Sequence, residues 1–285
     1  MSRLSQFLKR IQYAPSDYSH LWHARFSSVP GIRLEPRNVP VIVSLTSIAE
    51  RLPKIPFTIE SLLRQTEQPD RLILWLDEKL ADKIPALLRR QTRRGLEIRL
   101  VEDVGPHSRI FHTLKEFPRC RIVTADDDML YPQFWLAELL AAHQREPQSI
   151  TCHRAHRMVA DQAGTLLPYR QWDSHSPGHV GPSLWLFPTG VGGILYPPNA
   201  LHSEVLNRDV FRKICPTADD VWLKAMSLLN NVRCQKVRPF STEWRCVPGT
   251  EHKTLRVQNV ENGKNDIQIR NVFEHYNLYP RLNPA

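Results

Sequence analysis

Cysteine is scarce in this chain of 285 residues. There are five (Cys120, Cys152, Cys215, Cys234 and Cys246), and no two form a CxxC pair. An odd count without close pairs argues against a zinc knuckle or a full disulfide framework and predicts a reducing, cytoplasmic setting. Long apolar runs are missing too: none reaches the ~18 to 20 residues of a membrane-spanning helix. The opening MSRLSQFLKR lacks the apolar stretch and small-residue cleavage site of a signal peptide. Glycine is rare, at 11 residues, and it builds neither a GxGxxG dinucleotide fingerprint nor a GxxxxGK[ST] phosphate loop. No HExxH or GxSxG occurs, so the metalloprotease and nucleophile-elbow patterns are absent.

What is present suits a soluble globular protein: 41% hydrophobic and 24% charged residues. Lys and Arg number 38 against 29 Asp and Glu, a formal charge of +9 that favours anionic partners. The basic residues form no long block, which counts against nucleic acid. The densest run, RRQTRR (89–94), reads as the solvated end of a helix. Residues 1–38 read as a lead-in. There Leu4, Phe7, Leu8 and Ile11 make a short basic amphipathic helix, packed on its own domain or lying peripherally on an anionic membrane.

From residue 39 to 285 one continuous domain is expected, with a first half over 39–131 and a second over 132–285. VIVSL (41–45), RLILWL (71–76), LEIRLV (96–101) and RIVTA (121–125) predict buried strands, with helices near 55–65, 84–88 and 110–117 between them. That alternation predicts an α/β fold with a central, mostly parallel sheet flanked by helices, its ligands at the carboxyl ends of the strands. Further on, the pattern predicts helices over 132–144, 201–207, 218–230 (opened by Thr217) and from Asn265, where Gln268 is placed for a capping box. Strands are expected near 149–153 and 233–239.

Asp126-Asp127-Asp128 follows the fourth strand. In an extended segment Asp126 and Asp128 point to one side and Asp127 to the other. Like charges this close repel unless a cation or hydrogen-bond donors neutralise them. They therefore suit Mg²⁺ or Mn²⁺, although an Asp-rich turn is the plainer alternative. Asp219-Asp220 opens a later helix, where acids favour the dipole and one is a candidate general base. Gly190-Val191-Gly192-Gly193 suggests close backbone approach beside an acceptor or leaving group, or simply a tight turn. His252 is a candidate third metal ligand. Trp172, Trp185 and Trp222 are candidate sugar-stacking platforms, with core packing as the commoner role.

Taken together, VIVSLTSIAERL, IESLLRQTEQPDRLILWLDE, IVTADDDMLYP, PYRQW, FPTGVGGILYPP and CPTADDVWL resemble the GT-A-type glycosyltransferases. They are akin to the family 2-like enzymes of bacterial surface polysaccharide synthesis. The resemblance spans roughly residues 39–275. It implies a Rossmann-like nucleotide-diphospho-sugar transferase fold and a DxD motif. Asp126 and Asp128 would reach a divalent metal, and Asp126 and Asp127 the nucleotide diphosphate. It places Thr46, Arg51, Asp77 and Arg109 at the nucleotide sugar, with UDP as the default nucleotide. Asp220 or Asp219 becomes the base of an inverting transfer, and Trp172, Gly192, Gly193 and Trp222 line the pocket for a glycan acceptor. SLTSIAER differs from the usual PTYN-like first loop, and ADD replaces a Glu-Asp pair. The rival readings are a nucleotidyltransferase on a related fold, a basic nucleic-acid-binding protein, and a sugar-binding relative without catalysis.

Overall fold

Two strands whose central residues are apolar, except for Ser44, start the sheet. Val41–Thr46 (β1) and Arg71–Asp77 (β2) are buried along both faces, as strands covered by helices on either side must be. Their alternation splits the core. Val41, Val43, Leu45, Leu72, Leu74 and Leu76 pack with Ile55, Ile59 and Leu62 of the helix Ile55–Leu63, while Ile42, Ile73 and Trp75 face the opposite layer. Leu96–Val101 (β3) and Arg121–Thr124 (β4) continue the parallel pairing on either flank. The structure, a computed structural model, describes residues 19–20, 22–162, 164–250 and 257–282. The amphipathic segment over Leu4–Ile11 and His252 lie outside the described residues.

The short strands Met129–Leu130 (β5), Ile150–Cys152 (β6), Ala155–Arg157 (β7), Leu186–Pro188 (β8), Ile194–Tyr196 (β9), Cys234–Lys236 (β10) and Arg245–Cys246 (β11) complete the strand set. Seven strands form one sheet in the order β10-β6-β9-β4-β1-β2-β3. All run parallel except β9, which is inserted antiparallel between β4 and β6. This is the α/β architecture with a mostly parallel central sheet that the alternating elements predicted. Strand β9 was not foreseen: three residues between Gly193 and Pro197-Pro198 are too few for a period to show. The segment expected as a helix over 201–207 is a single 3₁₀ turn, Ser203–Leu206.

Two helix caps differ from expectation. Thr217 does not cap the helix Asp219–Leu229 with its side chain; Ala218 holds that position. The capping oxygen comes instead from Gln268 Oε1, which accepts from the backbone N–H of Thr217 (2.9 Å) and of Ala218 (3.2 Å). Gln268 lies in the helix Lys264–His275 but makes no capping box there, and its amide donates to the Lys264 carbonyl. A residue remote in sequence therefore sets the start of the helix that carries Asp219 and Asp220. Gln268→Ala should cost about 1–2 kcal/mol of stability, read by urea unfolding, since it leaves two backbone donors near the helix start unpaired. An unchanged midpoint would show that water replaces the amide.

The basic run 89–94 is also only partly solvated. Arg94 is buried, pairs with buried Glu60 at 2.7 Å and donates to the Val29 carbonyl. From Gly31 onward the lead-in is stitched to the domain: Gly31 N–H donates to the Arg94 carbonyl, and Arg37 binds Asp70 at 2.8 Å. Among the described residues no helix is long and apolar enough to cross a membrane.

Candidate active site

Helix Ser108–Glu116 packs against β1, and buried hydroxyls set its position. Ser44 Oγ on β1 donates to the Arg109 carbonyl (2.5 Å) and meets Thr113 Oγ1 at 2.7 Å, while the Trp75 indole donates to both hydroxyls. This fixes the first turn of the helix, and with it Arg109, beyond the carboxyl end of β4. Its guanidinium binds two stretches of the sequence. Nη1 donates to Asp126 and, at 3.3 Å, to the Ala125 carbonyl. Nε and Nη2 donate to Asp219 Oδ2 at 2.9 and 2.6 Å, and Asp220 lies 4.0 Å away. The strand-end acids and the late helix acids thus meet on one buried cation.

Arg51, just after β1, holds the rest of the acidic turn. Its guanidinium pairs with Asp127 and, at 3.0 Å, with Asp128. Ser47 Oγ donates to Asp127 Oδ2 (2.5 Å), and Thr58 Oγ1 donates to the Asp127 carbonyl. Residues 127–128 form a turn into β5, not an extended strand end. The expected split of Asp126 and Asp128 from Asp127 therefore gives way to Asp126 on Arg109 and Asp127 with Asp128 on Arg51. Tyr131 completes the turn, its hydroxyl accepting the Asp126 N–H at 2.8 Å.

The glycine loop closes the third side. The Gly190 N–H donates to both oxygens of Asp220, at 3.0 and 3.1 Å. A Cβ on Gly190 would lie 2.6 Å from Arg109 Nη2 and 3.2 Å from carboxylate oxygens of Asp126 and Asp220, so only glycine fits. Gly193, at φ +92°, lets the loop press on Trp135, whose ring a Cβ would meet at 2.4 Å. The Gly192 carbonyl accepts two indole N–H groups, from Trp135 (2.8 Å) and Trp244 (2.9 Å).

Five carboxylates face two guanidiniums here, so negative charge is in excess when all are ionised. Burial, then neighbouring Asp126, pushes the Asp128 carboxyl up to about 7; burial, then Asp219, does the same for Asp220. Burial also raises Asp127, against the pull of Arg51. Burial opposes the charge on Arg109, yet Asp219, Asp126 and Asp220 outweigh it and hold the guanidinium protonated. For Asp128 the folded value exceeds the ordinary 3.8, so its stabilising contribution is present below pH 3.8 and lost as the pH rises through about 7. Asp128→Asn, neutral throughout, should therefore melt a few degrees above the wild type at pH 8, with the gap closing near pH 4. A gap of the same size at both pH values would point to packing instead of charge.

Other candidates from the sequence lie apart from this cluster. Thr46 spends its hydroxyl on the Trp75 carbonyl of β2 (3.0 Å), and it is the neighbouring Ser47 that reaches Asp127. Asp77 stands at the carboxyl end of β2, as expected, but caps its own turn through the Lys79 N–H. Trp172 and Trp222 are core residues, 4% and 0% exposed, with indoles bonded to the carbonyls of Leu167 and Val205; neither offers a face to a sugar. Trp185 does border open space, a cavity of about 340 Å³ shared with Arg157 and Asp161. Among the described residues no three His, Cys, Asp or Glu side chains form a ready-made metal cage. Ser47, Tyr131 and Trp244 were not singled out in advance. Only Ser47 carried a signal, standing inside the SLTSIAER loop.

No described protein family and no curated protein matches the sequence. Among the solved structures that share part of its shape, two serve as examples. One is S. aureus TarS 1-349, with a TM-score of 0.47 and 13% identity over 72% of this chain and 58% of that one. The other is CMP:2-keto-3-deoxy-manno-octonic acid synthetase complexed with CTP, with a TM-score of 0.43 and 12% identity over 81% of this chain and 99% of that one. Overlaps of this size assign no chemistry to this chain.

Proposed function

We propose that the chain is a metal-dependent glycosyltransferase. It would move a sugar from a nucleotide-diphosphate donor to a hydroxyl of a bacterial surface-glycan acceptor, with inversion. The observation that carries this reading is the joint held by Arg109, which brings Asp126, Asp219 and Asp220 together against the Gly190 N–H. A sugar leaving a diphosphate passes through an oxocarbenium-like transition state, which needs charge stabilisation at the leaving group and a base at the incoming hydroxyl.

The two late acids divide those tasks. Asp219 is bound through one oxygen by two guanidinium nitrogens and serves to fix Arg109. Asp220 is the more exposed of the two, and its pKa of about 7 suits a base at neutral pH. The Gly190 N–H holds that carboxylate in place. Arg51 and Arg109, which pair with the acidic turn, would also take on anionic charge from the donor. Hard carboxylate oxygens with excess charge fit Mn²⁺ or Mg²⁺. Asp126 and Asp128 would hold the ion, which when bound would neutralise charge building on the diphosphate.

The test is a thermal-shift panel of nucleotide sugars and nucleoside diphosphates, with Mn²⁺ and with EDTA. At 100-fold excess over Kd, one nucleotide should raise the melting temperature by about 5–10 °C in the presence of metal only. The shift should vanish in Asp128→Ala. Product analysis then separates the rival chemistry, because a nucleotidyltransferase consumes a nucleoside triphosphate and releases pyrophosphate. No shift with any nucleotide would refute the donor site.

A further inference from the structure

We infer that the acceptor of this reaction carries an anionic group, a carboxylate or a phosphate, and that Arg154 receives it. The inference rests on the glycosyltransferase reading and specifies its acceptor side. Arg154 follows β6 and abuts Gly192 of the glycine loop, two residues on from the Gly190 that meets Asp220. Its Nη1 donates to Thr189 Oγ1 at 2.7 Å, its carbonyl accepts the Thr189 N–H, and its Cβ would sit 2.9 Å from a Cβ on Gly192. Thr189 precedes Gly190, the residue whose N–H holds Asp220. The guanidinium and the candidate base are thus tied to adjacent residues of one loop.

Among the described residues Arg154 forms no ion pair with a carboxylate. Its other partner is His175 Nε2, at 3.0 Å, and its Nε is buried without a hydrogen-bond partner. A guanidinium only donates, so His175 Nε2 is the acceptor here, and burial, then Arg154, lowers the pKa of the imidazole. Buried His156, next to it, is pushed down to about 3 by the same two causes. The nearest acid in this chain of contacts is Glu243, 3.3 Å from His175 with its side chain 68% exposed. A half-buried guanidinium with neutral partners is costly unless an anion completes it.

The surroundings are built to hold this arrangement. His175 and Ser176 both adopt left-handed backbone conformations, at φ +62° and +42°, which non-glycine residues avoid. Buried Lys236 pins the turn by donating to the carbonyls of His175 (3.0 Å), Ser176 (2.7 Å) and Pro239 (3.1 Å). Ser241 Oγ also donates to the His175 carbonyl, and the His175 N–H donates to His156 Nδ1. The lysine maintains a strained turn whose imidazole orients Arg154.

Saturation-transfer NMR tests this with three probes: glucuronate, glucose 6-phosphate and glucose. At least one acidic sugar should bind at millimolar concentration and glucose at least tenfold more weakly; which acid binds tells carboxylate from phosphate. Arg154→Gln should abolish that preference while keeping the metal-dependent nucleotide shift, which also reports that the variant is folded. Glu243→Gln, at an exposed position, should tighten acidic-sugar binding two- to threefold by removing a nearby negative charge. Equal binding of all three sugars, no binding of either acidic sugar, or an acidic preference that survives in Arg154→Gln would overturn the inference. A missing nucleotide shift in the wild type bears on the donor site, so the two failures are distinguishable.

Discussion

Asp220→Asn is expected to slow sugar transfer by about 10²- to 10⁴-fold, the range for losing a positioned general base. The metal-dependent nucleotide shift should remain. Asparagine keeps the shape and still accepts the Gly190 N–H, so the donor site and the loop stay in place. In the wild type kcat/KM should climb with pH as the Asp220 carboxyl, pushed up to about 7 by burial and Asp219, gives up its proton. The Asn variant should lose that limb of the profile. Asp219→Asn should act differently, because Asp219 is the main anchor of Arg109 at 2.6 and 2.9 Å. Its loss frees the guanidinium that also holds Asp126 and should weaken donor binding together with turnover. If Asp219→Asn spares binding and stops transfer while Asp220→Asn still transfers, the base is Asp219.

Much of this site was legible in the sequence because its acids follow regular elements. A strand buried on both faces from Ile122 to Thr124 must end somewhere, and Asp126-Asp127-Asp128 at that end could be placed from the apolar run. Asp219-Asp220 likewise stand at the head of a helix, one buried on nearly every side. What the sequence did not disclose are the long-range partners. Arg109 meets Asp219 across 110 positions and Gln268 caps a helix 50 positions back, and no local pattern encodes such pairings. The tryptophans misled for a related reason. Trp172 and Trp222 have the composition of a sugar platform, but burial depends on what packs over them, here Phe187 and Tyr169 for one and Phe211 and Tyr276 for the other. The split of the three aspartates failed because the strand stops at Thr124 and the chain turns, so strand alternation no longer applies.

The largest effect on stability should come from Arg109→Met. The side chain is 9% exposed and is the counter-ion shared by Asp126 and Asp219, with Asp220 at 4.0 Å. Methionine fills a similar volume but leaves the acids facing one another with no cation between them. Removing one partner of a buried ion pair typically costs about 3–5 kcal/mol, because the other charge stays buried and unpaired. The loss should depend on pH with a definite sign. Without Arg109 the Asp220 carboxyl, already raised by burial and Asp219, loses the charge that pulls it down. It then binds its proton more tightly in the folded than in the unfolded chain, so stability falls as the pH rises above its ordinary range. Urea unfolding should therefore show the full deficit at pH 8 and a partial recovery at pH 5.5. Arg109→Lys should fall between, since a single ammonium cannot span Asp126 and Asp219 as the guanidinium fork does. A deficit equal at both pH values would mean that packing, not charge, is what Arg109 contributes. The acidic cluster would then have to be balanced elsewhere, and the joint between the strand end and the late helix would lose its electrostatic explanation.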